Sequence, residues 1–538
     1  MIKTIQKYPI ASLMCFALLM LGFSIWAVPV SIMEARNFIS AREMLTDNNW
    51  ILTTMNGEPR YEKPPLPTWI TAFFGLVFGI KNVLALRIPA ILCIGIIGVY
   101  SYLISKALKL PHNHSLRNGF IVMTSFYVIG IIIEAPWDIY AHGFMIMAIY
   151  YLLKQLQYKT SVLYGILFAL CISASVLSKG PVSLYALCLP FLMSYGIVFK
   201  YNGGLLKNLK LLTLFVFGIA IGGLWYLYVR IADPITFTEI ATKETGNWSS
   251  YNVRPFYYYW SFFTQSGLWT IPAFISLLYP YMKSKVSNLK IYKFTLFWTL
   301  LAVVLLSVIP EKKSRYLMPV LIPLALNIGF YIEYLIQHFK TLSSKKDTYP
   351  VYFNFGLIGT IGIMFPIAVF IFIGDFSGVQ WVLFSLASIL LVSIGLLIFK
   401  NMLRKHMKNV VYLCFGLMLV LGVFALPLIS TQQHDGFKPI SELRTENLPA
   451  YSLGSISPEA VWNYGDKVPS LNSEEGFTIP NETSFYLITE FNKPLGDSSL
   501  SDLYTIKSIG TYDLNFAAQD QRGYKNRLKN DVYLLSRK

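Results

Sequence analysis

The sequence predicts an all-α polytopic membrane protein that ends in a small α/β domain outside the membrane. Hydrophobic residues make up 55% of the 538 residues and charged residues only 14%, with a mean hydropathy of +0.52. Soluble globular chains carry about a quarter charged residues. Apolar runs long enough to cross a bilayer recur up to residue 430, and polar residues return after it. We therefore expect a membrane domain over residues 1–430 and a soluble domain over residues 431–538.

About 13 apolar runs have the length of a membrane-spanning helix, which needs about 20 residues. The first run follows Lys3 and Lys7 and is longer than the apolar part of a signal peptide, so we interpret it as an anchor. All five cysteines lie inside these runs and are expected to pack as small apolar side chains. The predicted spans cover residues 8–29, 82–105, 118–134, 139–156, 161–178, 182–199, 211–230, 263–282, 294–309, 317–337, 351–374, 378–399 and 411–430.

Basic residues predict the orientation of these spans. Lysine and arginine recur in six alternate loops on the side of Lys3, for example at 106–117, 283–293 and 404–408. This is the positive-inside pattern, which places those loops in the cytoplasm. The outer loops 30–81 and 231–262 and the C-terminus are then expected on the external side. The net charge of +17 reflects this topology and contact with anionic membrane lipids, so no nucleic-acid partner is expected.

The first outer loop concentrates polar side chains at the membrane surface. Residues 31–69 read SIMEARNFISAREMLTDNNWILTTMNGEPRYEKPPLPTW and place Glu34, Arg36, Glu62 and Lys63 among aromatic residues. Ionisable groups at a membrane edge tend to be functional. The pattern predicts an active site, with an ordinary interfacial loop as the alternative.

Basic residues on the outer side have no role in topology, so they indicate a bound anion. Lys312, Lys313 and Arg315 lie together in EKKSRYLMP. Lys179 in SKGP and Arg254 in NVRPFYYYW each lie at another membrane edge. For any single one of them, the alternative is a long side chain that reaches from the membrane to the interface.

Carboxylates complete the predicted site. Glu34 follows the first span, and Asp138 in EAPWD lies in the tight turn between the third and fourth predicted spans. A carboxylate can accept the proton of an acceptor hydroxyl, while cations stabilise the charge on a departing phosphate. The sequence therefore predicts group transfer from an anionic leaving group, with Glu34 and Asp138 as catalytic residues.

Five segments, MEARNFISAREML, NGEPRYEKPPLPTW, SKGP, GLWY and KKSRYLMPVLIPLAL, follow one another through most of residues 1–340. In order and spacing they resemble the dolichyl-phosphate-mannose protein mannosyltransferase superfamily, and within it the bacterial aminoarabinose-type lipid A glycosyltransferases. The resemblance implies a GT-C fold in the bacterial inner (plasma) membrane and a polyprenyl-phosphate sugar as donor. The acceptor is then a lipid A-like glycolipid, a protein or a surface glycan, on the periplasmic or external side.

The resemblance also assigns roles to matching residues. Lys63 is expected near the donor phosphate, and Glu62 near a cation or the sugar. Arg36, Lys179 and Arg254 are further substrate-binding candidates. On the side opposite Lys63, the donor phosphate is expected to be held by Lys312, Lys313, Arg315 and the hydroxyl of Tyr316. For Tyr316, the alternative is a role in the aromatic belt at the membrane interface.

One position departs from the family pattern. The family usually has Asp-Glu-Ala-Arg in the first outer loop, with the aspartate as presumed base, whereas this chain has Met33 before Glu34. Adjacent side chains on a helix point about 100° apart, so Glu34 replaces that aspartate only after a local rearrangement. The base is therefore Glu34 or Asp138, or this branch has lost or changed the reaction.

The sequence gives weaker signals for the role of the C-terminal domain and for a cofactor. Residues 431–538 contain short apolar runs, SFYLITE and DVYLLSRK, that predict strands of a small outer domain. About a hundred residues can bury a modest core, so we expect a structural cap. The sequence shows no ligand spacing for a metal, and binding of a divalent cation stays open.

Two other classes of function also stay open. A transporter or flippase of lipid-linked sugars needs many spans and a basic groove, but its charges lie near the middle of the bilayer. Here only Arg87 and Glu333 are expected at such depth. A non-catalytic binder of lipid-linked sugars is the other class, and Met33 supports it. In every case the expected partners are a polyprenyl-phosphate sugar and membrane lipids.

Overall fold

The computed structural model describes two compact units. One contains Met1–Ala27, Glu62–Pro67 and Arg87–Ile429, and the other contains Val28–Tyr61, Thr68–Leu86 and Ser430–Lys538. Thr431, where the sequence predicts the C-terminal domain to begin, lies outside the described residues. The described residues are 2–134, 136–157, 161–201, 203–374, 376–430, 433–446, 448–473, 476–493 and 498–538.

Long apolar helices dominate the chain up to residue 430. Among the described residues, nine helical stretches have the length and composition to cross a membrane. A bent pair, His112–Met123 and Phe126–Glu134, meets at 44° and makes a tenth if it is one span. The prediction of a multi-pass membrane protein is confirmed. The nine stretches are Pro9–Ala27, Val83–Ala107, Val162–Lys179, Leu205–Ala232, Leu289–Val308, Ser314–His338, Lys345–Phe372, Val379–Leu403 and Met407–Ser430.

The other three predicted spans are less regular, so the expected number of about 13 is confirmed only as nine or ten. Residues 139–156 lie in Pro136–Gln157, a helix of 22 residues that carries more polar side chains. Residues 182–199 form the shorter apolar helix Leu184–Phe199. Residues 263–282 form three short helices, Phe262–Trp269, Thr270–Leu277 and Tyr279–Met282, and Gly267, with a φ of 64°, kinks the first of them.

Helices of the first unit differ in how much they expose. Most of Ser314–His338 is buried, whereas Leu205–Ala232 and Val379–Leu403 expose most of their apolar side chains, as lipid-facing helices do. Arg117 pairs with Glu333, and Arg87 donates to the carbonyl of Ile25. The remaining helices of this unit are Ile2–Lys7, Ile25–Ala27, Pro234–Ser250, Phe256–Tyr259 and Ser314–Leu317, the last of which opens Ser314–His338.

The second unit is built on a four-stranded mixed sheet. In spatial order its strands are Ala450–Leu453, Ser484–Glu490, Lys529–Arg537 and Tyr504–Asp513. The first pair is parallel and the other two pairs are antiparallel. Strands are therefore present where SFYLITE and DVYLLSRK predict them. Shorter elements are Thr54–Met55, Glu58–Pro59, Leu66–Phe78, Ile440–Glu446, Pro458–Tyr464, Asn472–Ser473, Gly476–Phe477, Ser498–Leu503 and Asn526–Leu528.

Part of the first outer loop belongs to the core of this second unit. Helix Ile32–Thr46, called the Glu34 helix below, contributes Ile39 to one hydrophobic cluster with Val461 and Val532. The ring of Phe38 lies 5.2 Å from that of Trp462. Residues 28–61 are thus packed with the C-terminal residues, because both bury apolar side chains in one core.

Candidate active site

Asp138 lies in the first turn of helix Pro136–Gln157, called the Asp138 helix below. Pro136 suits the first helical position, which needs no backbone N–H, and the helix dipole favours a negative charge there. Asp138 is only 1% exposed. Its Oδ1 accepts a hydrogen bond from Lys179, whereas its buried Oδ2 has no hydrogen-bond partner in the part of the chain that the structure describes. One oxygen of this carboxylate is therefore available to a ligand.

Lys179 is the last residue of helix Val162–Lys179, where the helix dipole favours a positive charge. Gly180 follows with φ 65°, a conformation that glycine adopts without strain. A Cβ at this position would lie 3.0 Å from the hydroxyl oxygen of Tyr226. The SKGP segment thus ends the helix so that Lys179 meets Asp138, and the two helix ends favour both charges of the pair.

Lys312 is committed to the backbone. It is 3% exposed, and its ammonium group donates to the carbonyls of Arg254, at 3.1 Å, and of Ile309. Burial lowers the pKa of Lys312. This corrects the expected phosphate contact of Lys312, because its donors brace two chain segments instead. Arg254 has an exposed side chain, and its backbone N–H donates to Pro310 at 3.2 Å.

Tyr316 lies among three cations. Its ring centroid is 5.2 Å from the ammonium of Lys179, 5.6 Å from that of Lys313 and 5.8 Å from the guanidinium of Arg315. Its hydroxyl donates to Glu311 at 3.2 Å, and Glu311 pairs with Lys313 at 2.6 Å. The hydroxyl of Tyr316 thus contacts Glu311 in this structure, its donation to a phosphate stays a prediction, and its ring lies within reach of all three cations.

Arg315 carries the uncompensated charge of this cluster. Among the residues that the structure describes, no carboxylate lies within ion-pair distance of its guanidinium, and its buried Nε has no hydrogen-bond partner. Arg315 is close enough to Asp138 and Lys179 to interact with both electrostatically. Its positive charge is therefore available to an anion.

Lys63 adds a fourth cation. Its ammonium lies 3.2 Å from Glu244, with 24% of the Lys63 side chain exposed, and it interacts electrostatically with Lys179. Glu62 beside it is exposed. Sequence reasoning missed Glu244, for which the position in the outer loop 231–262 was the only signal. We call Lys63, Asp138, Lys179, Lys313 and Arg315, with Tyr316, the Asp138 cluster.

Glu34 and Arg36 lie in the second unit, where Glu34 caps its own helix. The backbone N–H of Ser31 donates to the Glu34 carboxylate at 3.0 Å, and the Glu34 N–H donates to the Ser31 hydroxyl at 3.2 Å. Glu34 is 1% exposed, and Met33 and Arg36 are half-buried. The carbonyl of Arg36 accepts a hydrogen bond from Arg60 at 2.8 Å. The carboxylate that sequence reasoning placed first thus has a structural task.

Arg42 on the Glu34 helix is one of the charged residues of the first outer loop, and the sequence assigned it no specific role. Arg42 is 6% exposed, and both terminal nitrogens of its guanidinium are buried without a hydrogen-bond partner. Burial lowers the pKa of Arg42, while Glu43, Asp466 and Asp47 act in the opposite direction. An arginine within an apolar helix face is the only sequence signal for this position.

Metal ligands are not clustered in the described part of the chain. No group of three or more histidine, cysteine, aspartate or glutamate side chains there could hold a metal ion. His142, one turn after Asp138, shares a hydrogen bond of 2.8 Å with the hydroxyl of Ser183. The five cysteines are free, and four of them are buried.

Comparison with known sequences agrees with the predicted resemblance. Residues 62–226 match the family described as dolichyl-phosphate-mannose-protein mannosyltransferase. An uncharacterized protein of Aquifex aeolicus is 29% identical over 290 residues, which are 52% of this chain and 55% of that protein. An undecaprenyl phosphate-alpha-4-amino-4-deoxy-L-arabinose arabinosyl transferase of Photorhabdus laumondii is 22% identical over 319 residues, 54% of this chain and 53% of the transferase. The matches span about half the length of these relatives.

Comparison with solved structures extends over nearly the whole chain. The crystal structure of ArnT from Cupriavidus metallidurans bound to undecaprenyl phosphate has a TM-score of 0.68 at 15% identity, covering 98% of this chain and 97% of that one. Its apo state has a TM-score of 0.62 at 14% identity, with the same coverage. At such identity the likeness shows the fold. The chain has a GT-C fold and resembles the membrane glycosyltransferases of the dolichyl-phosphate-mannose protein mannosyltransferase superfamily, among them the aminoarabinose transferases.

Proposed function

We propose that the protein transfers a sugar from a polyprenyl-phosphate donor to an acceptor outside the cytoplasm. The donor class is supported by a relative that is named as an undecaprenyl phosphate-alpha-4-amino-4-deoxy-L-arabinose arabinosyl transferase. The first acceptor we propose is a lipid A-like glycolipid, because the sequence resembles the aminoarabinose-type lipid A glycosyltransferases. A protein hydroxyl and a surface glycan are the other acceptors. The site would lie on the periplasmic or external side of a bacterial inner membrane.

One observation carries this proposal. Asp138 has a buried carboxylate oxygen without a hydrogen-bond partner, and Arg315 in the same cluster has no carboxylate within ion-pair distance among the described residues. A base needs a free acceptor, and a phosphate needs an uncompensated cation. The Asp138 cluster offers both in one place.

The proposed reaction divides the work between these two residues. The bond between the anomeric carbon of the donor sugar and its phosphate oxygen breaks, and the phosphate keeps the electron pair. The acceptor oxygen forms the new bond to the anomeric carbon and gives its proton to Asp138. Arg315 stabilises the negative charge that develops on the departing polyprenyl phosphate.

The paired cations have a second role in this proposal. Lys63 and Lys313 lie against Glu244 and Glu311, which hold their ammonium groups at the cluster before the donor binds. A phosphate can share these ammonium groups because each has three donors. Lys179 instead compensates the buried charge of Asp138 and sets the orientation of its carboxylate.

Transfer of radiolabel from polyprenyl-phosphate sugars to a membrane extract tests the proposal. We expect Asp138→Asn to lower the rate by about a hundredfold or more, as loss of a general base does. Arg315→Gln is expected to weaken donor binding by at least about tenfold through the loss of a charge-assisted contact. Wild-type protein that binds polyprenyl phosphate but transfers no sugar would contradict it.

Matched variants make these losses specific. Glu134→Gln removes an exposed carboxylate from the same turn, where its partner is the hydroxyl of Tyr127 at 2.5 Å. Arg230→Gln removes an exposed arginine at the end of helix Leu205–Ala232. Both control variants are expected to keep wild-type transfer. If Glu134→Gln lost as much transfer as Asp138→Asn, or Arg230→Gln lost as much donor binding as Arg315→Gln, the assigned roles would be contradicted.

Met33 favours a second candidate, a binder of lipid-linked sugars that performs no transfer. Methionine cannot accept a proton, and it stands where the family usually has its presumed base. Under this candidate, wild-type protein binds the donor without turnover, and Met33→Asp creates turnover. Under the transferase proposal, wild-type protein turns over and Asp138→Asn abolishes that turnover.

A further inference from the structure

A polar cleft lies at one edge of the sheet in the second unit. Its volume is about 630 Å³. The parallel strands Ala450–Leu453 and Ser484–Glu490 both end there, and the antiparallel strand Lys529–Arg537 begins there. Ligands commonly bind beyond the carboxyl ends of parallel strands, where loops converge. The position is therefore suited to binding and has no part in the Asp138 cluster.

Side chains with amides or hydroxyls make up half of the residues that line the cleft. Each amide can both donate and accept hydrogen bonds, as two neighbouring hydroxyls of a sugar do. Ile456, Pro458 and Phe491 supply the apolar part. Such a mixture suits a saccharide better than an apolar ligand. The polar lining side chains include Ser455, Ser457, Asn492, Gln519, Asn526 and Asn530.

One buried lining residue, Asn530, and the buried Glu459 next to the lining residue Pro458 each have an oxygen atom without a hydrogen-bond partner among the described residues. Asn530 is 2% exposed, and its amide nitrogen donates to the carbonyl of Thr489 at 3.1 Å, while its Oδ1 has no partner. Glu459, just beyond the lining residue Pro458, is 6% exposed; one oxygen accepts from Arg527, and Oε2 has no partner. Buried polar atoms are almost always hydrogen-bonded, so the unpaired oxygen of Asn530 can accept a hydrogen bond from a molecule in the cleft, either ordered water or a ligand.

The cleft has one positive charge in excess. Arg527 is compensated by Glu459, and Glu490 pairs with Lys493 at 2.6 Å. Lys529 lies over the ring of Phe491, 3.8 Å from its centroid, and forms no ion pair with any described residue. A cation on an aromatic ring keeps its N–H donors for a ligand. The ligand is therefore expected to bring a negative charge.

We propose that this cleft binds an acidic saccharide, a sugar that carries a carboxylate or a phosphate. The sugar hydroxyls meet the side-chain amides, and the negative group meets Lys529. This binding goes beyond the proposed transfer reaction, since it needs neither the donor nor the Asp138 cluster. A protein that transfers no sugar would still bind the saccharide here.

Binding of small sugars to the full-length protein in detergent, without any donor, tests this site. Saturation-transfer NMR would compare glucuronic acid and glucose 1-phosphate with methyl glucoside and inorganic phosphate. We expect at least one acidic sugar to bind about tenfold or more tightly than both single-feature probes, because hydroxyls and charge are recognised together. Preference for glucuronic acid or for glucose 1-phosphate then identifies the acidic group.

Variants connect this binding to the cleft. Lys529→Gln is expected to lower affinity for the acidic sugar by about tenfold and to leave methyl glucoside unchanged. Gln519→Ala, which changes an exposed lining residue, is expected to weaken the binding of both the acidic sugar and methyl glucoside. Lys525→Gln removes an exposed lysine outside the lining and serves as the matched control. Equal affinity of acidic and neutral sugars, unchanged binding in Lys529→Gln, or no binding of any sugar at about 10 mM overturns the proposal.

Discussion

Asp138 and Glu34 are both buried carboxylates in the first turn of a helix, yet their surroundings differ. Glu34 accepts the N–H of Ser31 in a capping box, so its carboxylate helps to hold the start of its own helix. Asp138 instead accepts a hydrogen bond from Lys179 of another helix, and its Oδ2 has no hydrogen-bond partner among the residues that the structure describes. Position in the helix alone therefore does not distinguish a carboxylate that caps its own helix from one that pairs with a distant side chain.

The difference lies in where the compensating groups come from. The Glu34 helix uses local backbone donors and a hydrophobic core shared with Val461 and Val532. In the Asp138 cluster, Lys63 and Lys179 pair with carboxylates from distant segments, and such side chains can exchange one partner for a ligand. We expect substitutions in the first region to change stability and those in the second to change both stability and transfer.

The largest stability effect is expected from Lys179→Met. Removal of the ammonium leaves Asp138 buried without a counter-charge, which costs about 3–5 kcal/mol. Chemical denaturation in detergent would show the lower midpoint. The double variant Lys179→Met with Asp138→Asn should regain most of the loss, and an unchanged midpoint in the single variant would contradict the importance of this pair.

Asn56→Ala should follow, at about 1–3 kcal/mol, because it leaves buried backbone groups unpaired. The Asn56 amide donates to the carbonyl of Val468 at 2.8 Å and accepts its N–H at 2.7 Å. Denaturation would again report the loss, and Glu58→Gln, exposed on the next strand of the same hairpin, is the control. If Asn56→Ala and the control unfold at the same denaturant concentration, the two hydrogen bonds between Asn56 and Val468 do not contribute to stability.

Ser31→Ala and Glu34→Gln test whether Glu34 stabilises its helix or acts as the catalytic base. Loss of the Ser31 hydroxyl should cost about 1 kcal/mol, whereas glutamine keeps the bond to the Ser31 N–H. Transfer by Glu34→Gln should stay within about tenfold of wild type, far above the loss expected for a base. A folded Glu34→Gln protein without transfer would make Glu34 the base and reverse the comparison.

The smallest effect is expected from Lys467→Gln, which removes a half-exposed ion pair with Asp47 at 2.7 Å. Exposed pairs contribute at most about 1 kcal/mol, less at high salt. Asp47 raises the pKa of Lys467, so this stabilisation is complete below the ordinary lysine pKa and declines as the pH rises through the folded value. Denaturation at pH 7 and at about pH 11 should show a smaller difference between wild type and variant at the higher pH.

Several features of the molecule could be predicted without the structure. The apolar runs identified the long helices, and SFYLITE and DVYLLSRK identified two strands, because burial in a bilayer or a sheet leaves a length and a period in the chain. The kink at Gly267 and the short length of helix Leu184–Phe199 were missed, since apolar composition does not report where a helix bends or begins. The motifs SKGP and EAPWD correctly marked segments that the fold brings together.

The sequence by itself determined the class of the protein, the family resemblance and the group of ionisable residues from which the site is drawn. Only the tertiary structure decided how each of these charges is used. Lys312 is bound to backbone carbonyls, Glu34 caps a helix, and Arg315 keeps an uncompensated charge beside Asp138. The reason is physical: hydropathy is a property of local sequence, whereas the partner of a charged group is set by residues that approach it from elsewhere in the chain.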